Sequence, residues 1–211
     1  MGELSRKLTP IDAQTAASLM MAALSVREAE GTQRKLLAQH LLSLAWVETA
    51  HGQKMVRNNW GNLSGENQGN YWRPPWYQLS SSSSSKLRAL HAAMLAGKVP
   101  DRFQAFASRG EGLDAFLSLV YRPRYAPMLR AGRAGDTAGF ASAVHDTGYC
   151  PDEACRGERT LAHYQQLART FRPLLGLPPA GGALLAKRDG SGFSGLGALA
   201  LLWLLAKGRI L

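Results

Sequence analysis

Apolar residues recur at helical spacing along most of the chain, and clusters of Gly, Pro and Ser cut that pattern into segments. Thr9-Pro10 reads as an N-cap followed by proline at the first helical position, with Asp12 adding negative charge to the first turn. The helix this predicts ends near Glu30 and is apolar on one side through Leu19, Met20, Ala23 and Leu24. A second helix is predicted from about Gln33 to Ala50. Residues 51 to 79, rich in Gly, Asn, Trp and Pro, exclude a long helix, and Ser80 to Ser85 read as a flexible surface loop. Beyond them Leu87, Leu90, Met94 and Leu95 share a helical face, which Gly97 and Pro100 end. Ser108-Arg109-Gly110-Glu111 has the form of a capping box opening a helix with Leu113, Phe116, Leu117 and Val120. Asp136 is placed to cap a helix carrying Phe140 and Val144 and ended by Gly148, and Leu161, Tyr164, Ala168 and Phe171 line a last globular helix. Pro173 and GLPPAGG (176 to 182) mark the end of the domain.

One residue breaks the pattern. With Leu37 set at zero and 100° per residue, Leu41, Leu44 and Glu48 fall at about 40°, −20° and 20°. Glu48 therefore lies in the middle of the apolar stripe of the second helix. Either the carboxyl is buried, which disfavours its charged form and suits a general acid, or the helix frays after Val47 and Glu48 exits to water. Ala50-His51-Gly52 ends the helix within a turn, so a cleft can open beside the carboxyl. Asn58 and Asn59 can bind a carbohydrate or hold the loop through side chain-to-backbone bonds. Trp60, Tyr71, Trp72, Trp76 and Tyr77 form a dense aromatic group, read as stacking surface for sugar rings or as a small core under the loop.

Composition changes this picture in three ways. The formal net charge of +10 on 211 residues favours a polyanionic partner such as nucleic acid, anionic lipid or an acidic cell-wall polymer. The basic residues are scattered and no aromatic-interleaved basic motif is present, so no specific nucleic-acid partner is expected. Cys150 and Cys155 have no matching His or Cys pair, so no metal site is expected; they can close a disulfide or remain thiols. The N-terminal stretch MGELSRKLTPIDAQ has no apolar core of the Sec type. Residues 192 to 206, GFSGLGALALLWLLA, carry no charge. As a helix they would span roughly 22 Å, short for a membrane crossing but suited to an interface, a partner protein or a fold back onto the domain.

Glu48 at a helix end followed by NNWGNLSG (58 to 65) resembles the catalytic glutamate and paired-asparagine segment of glycoside hydrolase family 73, the lysozyme-like N-acetylglucosaminidases that cut peptidoglycan. RFQAFASRGEGLDAFLSLV…RYAPML (102 to 129) and AGDTAGFASAVHDTGYCPDEA (134 to 154), with Tyr164 and Leu167 in the closing helix, are similar to later motifs of that family in the same order. The resemblance covers about residues 10 to 172. It implies a mainly α fold: a lysozyme-like helical domain with a small irregular or β lobe over residues 1 to 175. A Pro/Gly-rich linker at 176 to 191 and an apolar C-terminal helix at 192 to 211 would follow. It implies Glu48 as general acid, Tyr149 in contact with the N-acetyl sugar or with the glutamate, and Asn58 and Asn59 as the pair shaping the loop. No cofactor is implied. The chain departs from the family where Cys150-Pro151-Asp152 replaces Ala-Thr-Asp, and where the β-lobe region Gly65 to Val99 offers a single acid, Glu66.

Glycosidic cleavage needs a proton for the leaving oxygen and stabilisation of an oxocarbenium-like centre. Glu66, Asp101 after loop closure, or the substrate's own acetamido group are candidates for the second task. A lytic transglycosylase route, in which the sugar's own hydroxyl attacks, needs no second carboxylate. The expectation is a peptidoglycan hydrolase with Glu48, Tyr149 and Glu66 as catalytic residues and Asn58, Asn59, Trp60 and Trp72 in substrate binding. Its setting would be a phage particle or the periplasm and cell envelope, with residues 192 to 211 contacting a membrane or a virion or envelope protein. An inert lysozyme-like structural or binding module is the reading from another class.

Overall fold

Seven α-helices account for most of the described chain, which in this computed structural model comprises residues 2–28, 31–73, 85–97, 100–150 and 158–179. The apolar segment at 192–211, most of the linker, Trp76, Tyr77, Ser80 to Ser84, Pro151, Asp152 and Cys155 lie outside the described residues. The elements run α1 (Ala13–Ser25), α2 (Gly31–Glu48), β1 (Tyr71–Trp72), α3 (Ser85–Leu95), β2 (Phe103–Gln104), α4 (Arg109–Val120), a 3-10 turn (Pro123–Tyr125), α5 (Ala126–Ala134), α6 (Thr137–Asp146) and α7 (Glu158–Leu174). The fold is mainly helical, as the periodicity predicts.

The described residues fall into two compact units. The first draws on the described residues within 2–12 and 45–119, the second on those within 13–44 and 120–179. In the first, β1 and β2 pair antiparallel with Tyr71 opposite Gln104 and Trp72 opposite Phe103. Val56, Trp72, Met94, Phe103 and Ala105 form one apolar cluster there. The α4 face is the one expected: Leu113, Phe116 and Leu117 are buried. Each contributes about 1.5–3 kcal/mol of apolar transfer. Ser108 caps α4, its Oγ accepting from the Glu111 N–H at 3.1 Å, and the Glu111 carboxylate reaches back to the Ala107 N–H at 2.9 Å. The reciprocal bond thus lands one residue earlier than in a standard capping box.

In the second unit α6 packs against α5 and α7, and α7 against α1. Asp136 caps α6 as expected, accepting from the Gly139 N–H at 2.8 Å, and Phe140 and Val144 are buried. Gly148 leaves the helix with φ +71°. On α7, Tyr164, Leu167, Ala168 and Phe171 are buried, and Pro173 sits inside the last turn.

Three expectations need correction. α1 begins at Ala13, not after Thr9-Pro10. Thr9 is held by the first unit: its N–H donates to the Met55 carbonyl at 2.8 Å and its hydroxyl accepts from the Asn58 N–H at 2.9 Å. These partners lie more than forty residues away along the chain, and they outbid a local cap. Leu95 is 74% exposed, so it does not share the buried face of Met94 on α3. The third is an omission: the pattern named no helix here, yet α5 forms, started by Pro127 in its first turn and stopped by Gly135 at φ +73°.

Candidate functional site

Glu48 is the last residue of α2 and is 1% exposed, so the carboxyl does not exit to water. Leu37, Leu41 and Leu44, which share its phase, are buried as well, while Val47 beside it is half-buried. Upstream, burial is not confined to that stripe: every residue from Leu37 to Trp46 is buried, including Gln39, His40 and Ser43.

The chain after Glu48 turns by backbone conformations that side chains rarely adopt. Among the described residues, all six non-glycine residues with positive φ lie in this stretch: Ala50, His51, Arg57, Asn58, Asn62 and Gln68. Ala50, His51 and Gly52 are left-handed in succession, at φ 48°, 59° and 76°. The His51 N–H reaches the Trp46 carbonyl at 2.7 Å, and the Gly52 N–H donates to Thr49 Oγ1 at 3.1 Å. Gly52 is required here, because a Cβ would stand 2.4 Å from the Ile11 carbonyl oxygen. Left-handed conformations in non-glycine residues cost about 1–2 kcal/mol each and persist only where the surroundings impose them.

Side-chain bonds of asparagines hold the later part of this stretch. Asn58 Nδ2 donates to the Phe106 carbonyl at 3.1 Å. Asn59 is fully buried, its Nδ2 donating to the Leu63 and Gln104 carbonyls at 3.0 and 3.1 Å and its Oδ1 accepting from the Leu63 N–H at 2.7 Å. The pair therefore holds the loop, and the Asn59 amide is committed to it. Trp60 is fully buried with Nε1 donating to the Arg109 carbonyl at 3.0 Å, and Trp72 is 2% exposed and stacked on Phe103. Neither ring presents a face to a sugar, which corrects the expectation that they bind substrate: both have the core role that was the alternative.

Asn62, to which the sequence pattern assigns no role, is brought to Glu48. It is 3% exposed, at φ 46°. Its Nδ2 donates to the Glu48 main-chain carbonyl and stands 3.5 Å from Glu48 Oε2. The available signal was a third asparagine in NNWGN, since asparagine both tolerates left-handed backbone and bonds nearby main chain.

Glu66 lies on the surface, its carboxylate paired with Arg102, which also contacts Asp101 Oδ2 at 3.3 Å. The paired carboxylates hold the Arg102 guanidinium above its usual range. Both candidate second acids are thus engaged by one arginine, and the guanidinium lies 4.9 Å from the Tyr71 ring centre.

Tyr149 belongs to the second unit, whereas Glu48 belongs to the first. It is buried, with its ring edge-on to Tyr125 at 5.8 Å. Arg124 lies over Tyr125 at 5.0 Å and donates twice to the Thr147 carbonyl, at 3.2 and 2.7 Å, fixing the turn that leads into Tyr149. Cys150 is buried and disulfide-bonded. A cavity of about 490 Å³ in the second unit is lined by Arg169, Arg172, Pro173, Leu177 and Pro179 and contains no expected site residue. Among the described residues no group of three or more His, Cys, Asp or Glu side chains could hold a metal ion, and no helix is long and apolar enough to cross a membrane.

No protein-family model, curated protein or solved structure matches this chain.

Proposed function

We propose that this protein is a lysozyme-like peptidoglycan glycosidase in which Glu48 is the general acid. The observation that carries the reading is a glutamate 1% exposed at the end of a buried helix, where the chain enters a loop of six left-handed non-glycine residues. Burial disfavours an ionised carboxyl, and general acids are kept protonated in that way. Backbone held in sparsely populated conformations gathers at functional sites. In the reaction the Glu48 carboxyl gives its proton to the glycosidic oxygen as the C1–O bond breaks, and the departing sugar leaves as an alcohol.

The placement of Glu66 favours a particular version of the chemistry. Its carboxylate is exposed and paired with Arg102, as is Asp101. Routes that need no second protein carboxylate fit this better: assistance by the substrate's own acetamido group, or attack by the sugar's own hydroxyl as in a lytic transglycosylase. The basic chain, at +10, suits an acidic wall polymer. We place the protein in a phage particle or the cell envelope, with residues 192 to 211 as the contact to a membrane or particle protein.

The test is loss of turbidity of purified cell walls with the full chain and with Glu48→Gln. Removing a general acid lowers the rate by about 10²–10⁴-fold. Equal lysis by the two proteins rejects Glu48 as the acid. If neither releases fragments but both sediment with walls, the protein is a binding module. Mass spectrometry of released glycan separates reducing-end from anhydro products.

A further inference from the structure

Side chains lining the cavity at the end of α7 are cationic or apolar. Arg169 and Arg172 stand three residues apart, on one side of the helix, and both line the space of about 490 Å³. Pro173, Leu177 and Pro179 complete the lining and present C–H surface to it. The volume is that of a small-ligand site. Arg169 is exposed and Arg172 half-buried, so the charge is reachable from solvent.

Neutral groups hold these cations. Arg172 Nε donates to the Pro178 carbonyl at 2.5 Å and its Nη1 to Gln39 Oε1 at 3.3 Å. Gln39 is 2% exposed on α2, so the guanidinium is anchored to a buried side chain. Arg169 Nε donates to the Gln165 carbonyl of its own helix at 3.3 Å. Lys35, on α2, reaches the Gly176 carbonyl at 3.4 Å, in the segment that leads to Leu177. Among the described residues no carboxylate pairs with any of the three. Arg133, in the same unit, shows the other arrangement, its charge met by Glu28. Carbonyl and amide oxygens orient a guanidinium without cancelling its charge, so both arginines keep theirs at the cavity wall. A helix C-terminus favours arginine in its last turn, and that accounts for Arg172 bonding to Pro178. It does not account for Arg169, nor for a cavity lined by both.

We propose that this cavity binds a phosphoryl group carried on a polyol or sugar. A guanidinium meets phosphate oxygens in pairs. A tetrahedral phosphoryl group can be met by two guanidiniums from different directions, whereas a carboxylate presents its oxygens in one plane. The carbon body of the ligand lies against Pro173, Leu177 and Pro179. The site belongs to the second unit and stands whether or not Glu48 is a general acid. Phosphodiester-linked wall polymers, phospholipid headgroups and soluble phosphate esters all present this chemistry.

The test uses the full-length protein, labelled with 15N so that arginine Nε–H signals are seen, and glycerol 3-phosphate as probe. Saturable shifts of the Arg169 and Arg172 signals are expected with glycerol 3-phosphate and none with glycerol. Arg169→Gln removes a charge whose bond lies within its own helix, and should weaken binding by about 10-fold or more. Arg172→Gln should do at least as much, but it also cuts the bonds to Pro178 and Gln39, so Arg169→Gln is the deciding variant. Arg130→Gln, at an exposed position of α5 that does not line the cavity, lowers the net charge equally and should leave the affinity unchanged. Equal weakening in the Arg169 and Arg130 variants would reduce the effect to general attraction by a chain of +10 and overturn the site. An absence of saturable shifts overturns it as well. Two further arms identify the source once binding depends on Arg169. Sedimentation with phosphatidylglycerol vesicles that Arg169→Gln abolishes assigns a lipid headgroup. Retention on cell walls that is lost in Arg169→Gln, and lost when hydrofluoric acid strips phosphodiester polymers from the walls, assigns a wall polymer. Dependence on Arg169 in neither arm assigns a soluble phosphate ester.

Discussion

Two buried glutamates stand at the ends of consecutive helices, and the protein treats them differently. Glu28, just beyond α1 in the second unit, is 9% exposed. Arg133 grips it with a two-pronged contact, Nη2 to Oε1 at 2.5 Å and Nε to Oε2 at 3.0 Å, and the Tyr121 hydroxyl donates to Oε1 at 2.5 Å. The Arg133 bond is the main cause holding the Glu28 carboxyl below its usual range. The same cluster, through burial first and the Glu28 bond second, pushes the Tyr121 phenol up. Glu48, in the first unit, is met by the amide of Asn62. A guanidinium fork meets its carboxylate with a full positive charge, whereas an amide brings a hydrogen-bond donor without one.

The surroundings differ in the same sense. The Glu28 unit is made of helices packed on one another, with local signals at both ends of α5 and α6. The Glu48 unit is held by side chain-to-backbone bonds and by main chain passing close to main chain, so its weak points are single atoms. Gly112 on α4 is the sharpest: a Cβ there would lie 1.8 Å from the Asn58 carbonyl oxygen. Gly112→Ala is expected to displace the loop and cost about 3 kcal/mol, the upper end of overpacking. Gly110→Ala, two residues earlier with its nearest contact an ordinary 3.9 Å, is expected to be neutral or slightly stabilising. Equal urea midpoints for the two variants would show that the first unit is not governed by this close approach.

The Glu28 cluster gives the next effect. Arg133→Ala should destabilise the protein by about 1–3 kcal/mol at neutral pH, below the value for a fully buried pair because Arg133 is 31% exposed. The direction with pH follows from linkage. Glu28 titrates lower in the folded chain than its ordinary 4.5. Its contribution is therefore complete above that ordinary value and is lost as pH falls through the lowered one. Unfolding midpoints of wild type and Arg133→Ala should converge in acid; a constant gap between pH 7 and pH 3 would mean that the ion pair is not what stabilises this end of α1.

Smaller still is the cap of α6. Asp136→Ala removes the acceptor for the Gly139 N–H and should cost about 1 kcal/mol, read as a lowered melting temperature. A change that small leaves the second unit folded, whereas a collapse of the whole protein would erase the distinction between locally capped helices and a loop held at single points.

The elements legible in the sequence are those whose causes are local. The Ser108 and Asp136 caps, the α4 face from Leu113 to Leu117 and the α7 face at Tyr164, Ala168 and Phe171 were readable because spacing and capping act within a turn or two of chain. The site was legible in part. Glu48 stood out as a carboxylate among leucines, and the paired asparagines as loop-shaping residues. The roles of Trp60 and Trp72 were not legible, since an aromatic group looks the same in sequence whether it lines a groove or fills a core. Thr9 was misread because its partners, Met55 and Asn58, are distant in sequence.

By itself the sequence determined a mainly helical chain, the position of most helices and one anomalous glutamate. Helical periodicity and capping chemistry are short-range, so a single chain carries them openly. Only the tertiary structure decided that α2 is buried on every side from Leu37 to Trp46, that Arg102 engages Glu66, and that Asn62 rather than Asn58 or Asn59 reaches Glu48. Each of those depends on which distant segments the fold brings within a few ångströms, and contact at that range leaves no period in the sequence.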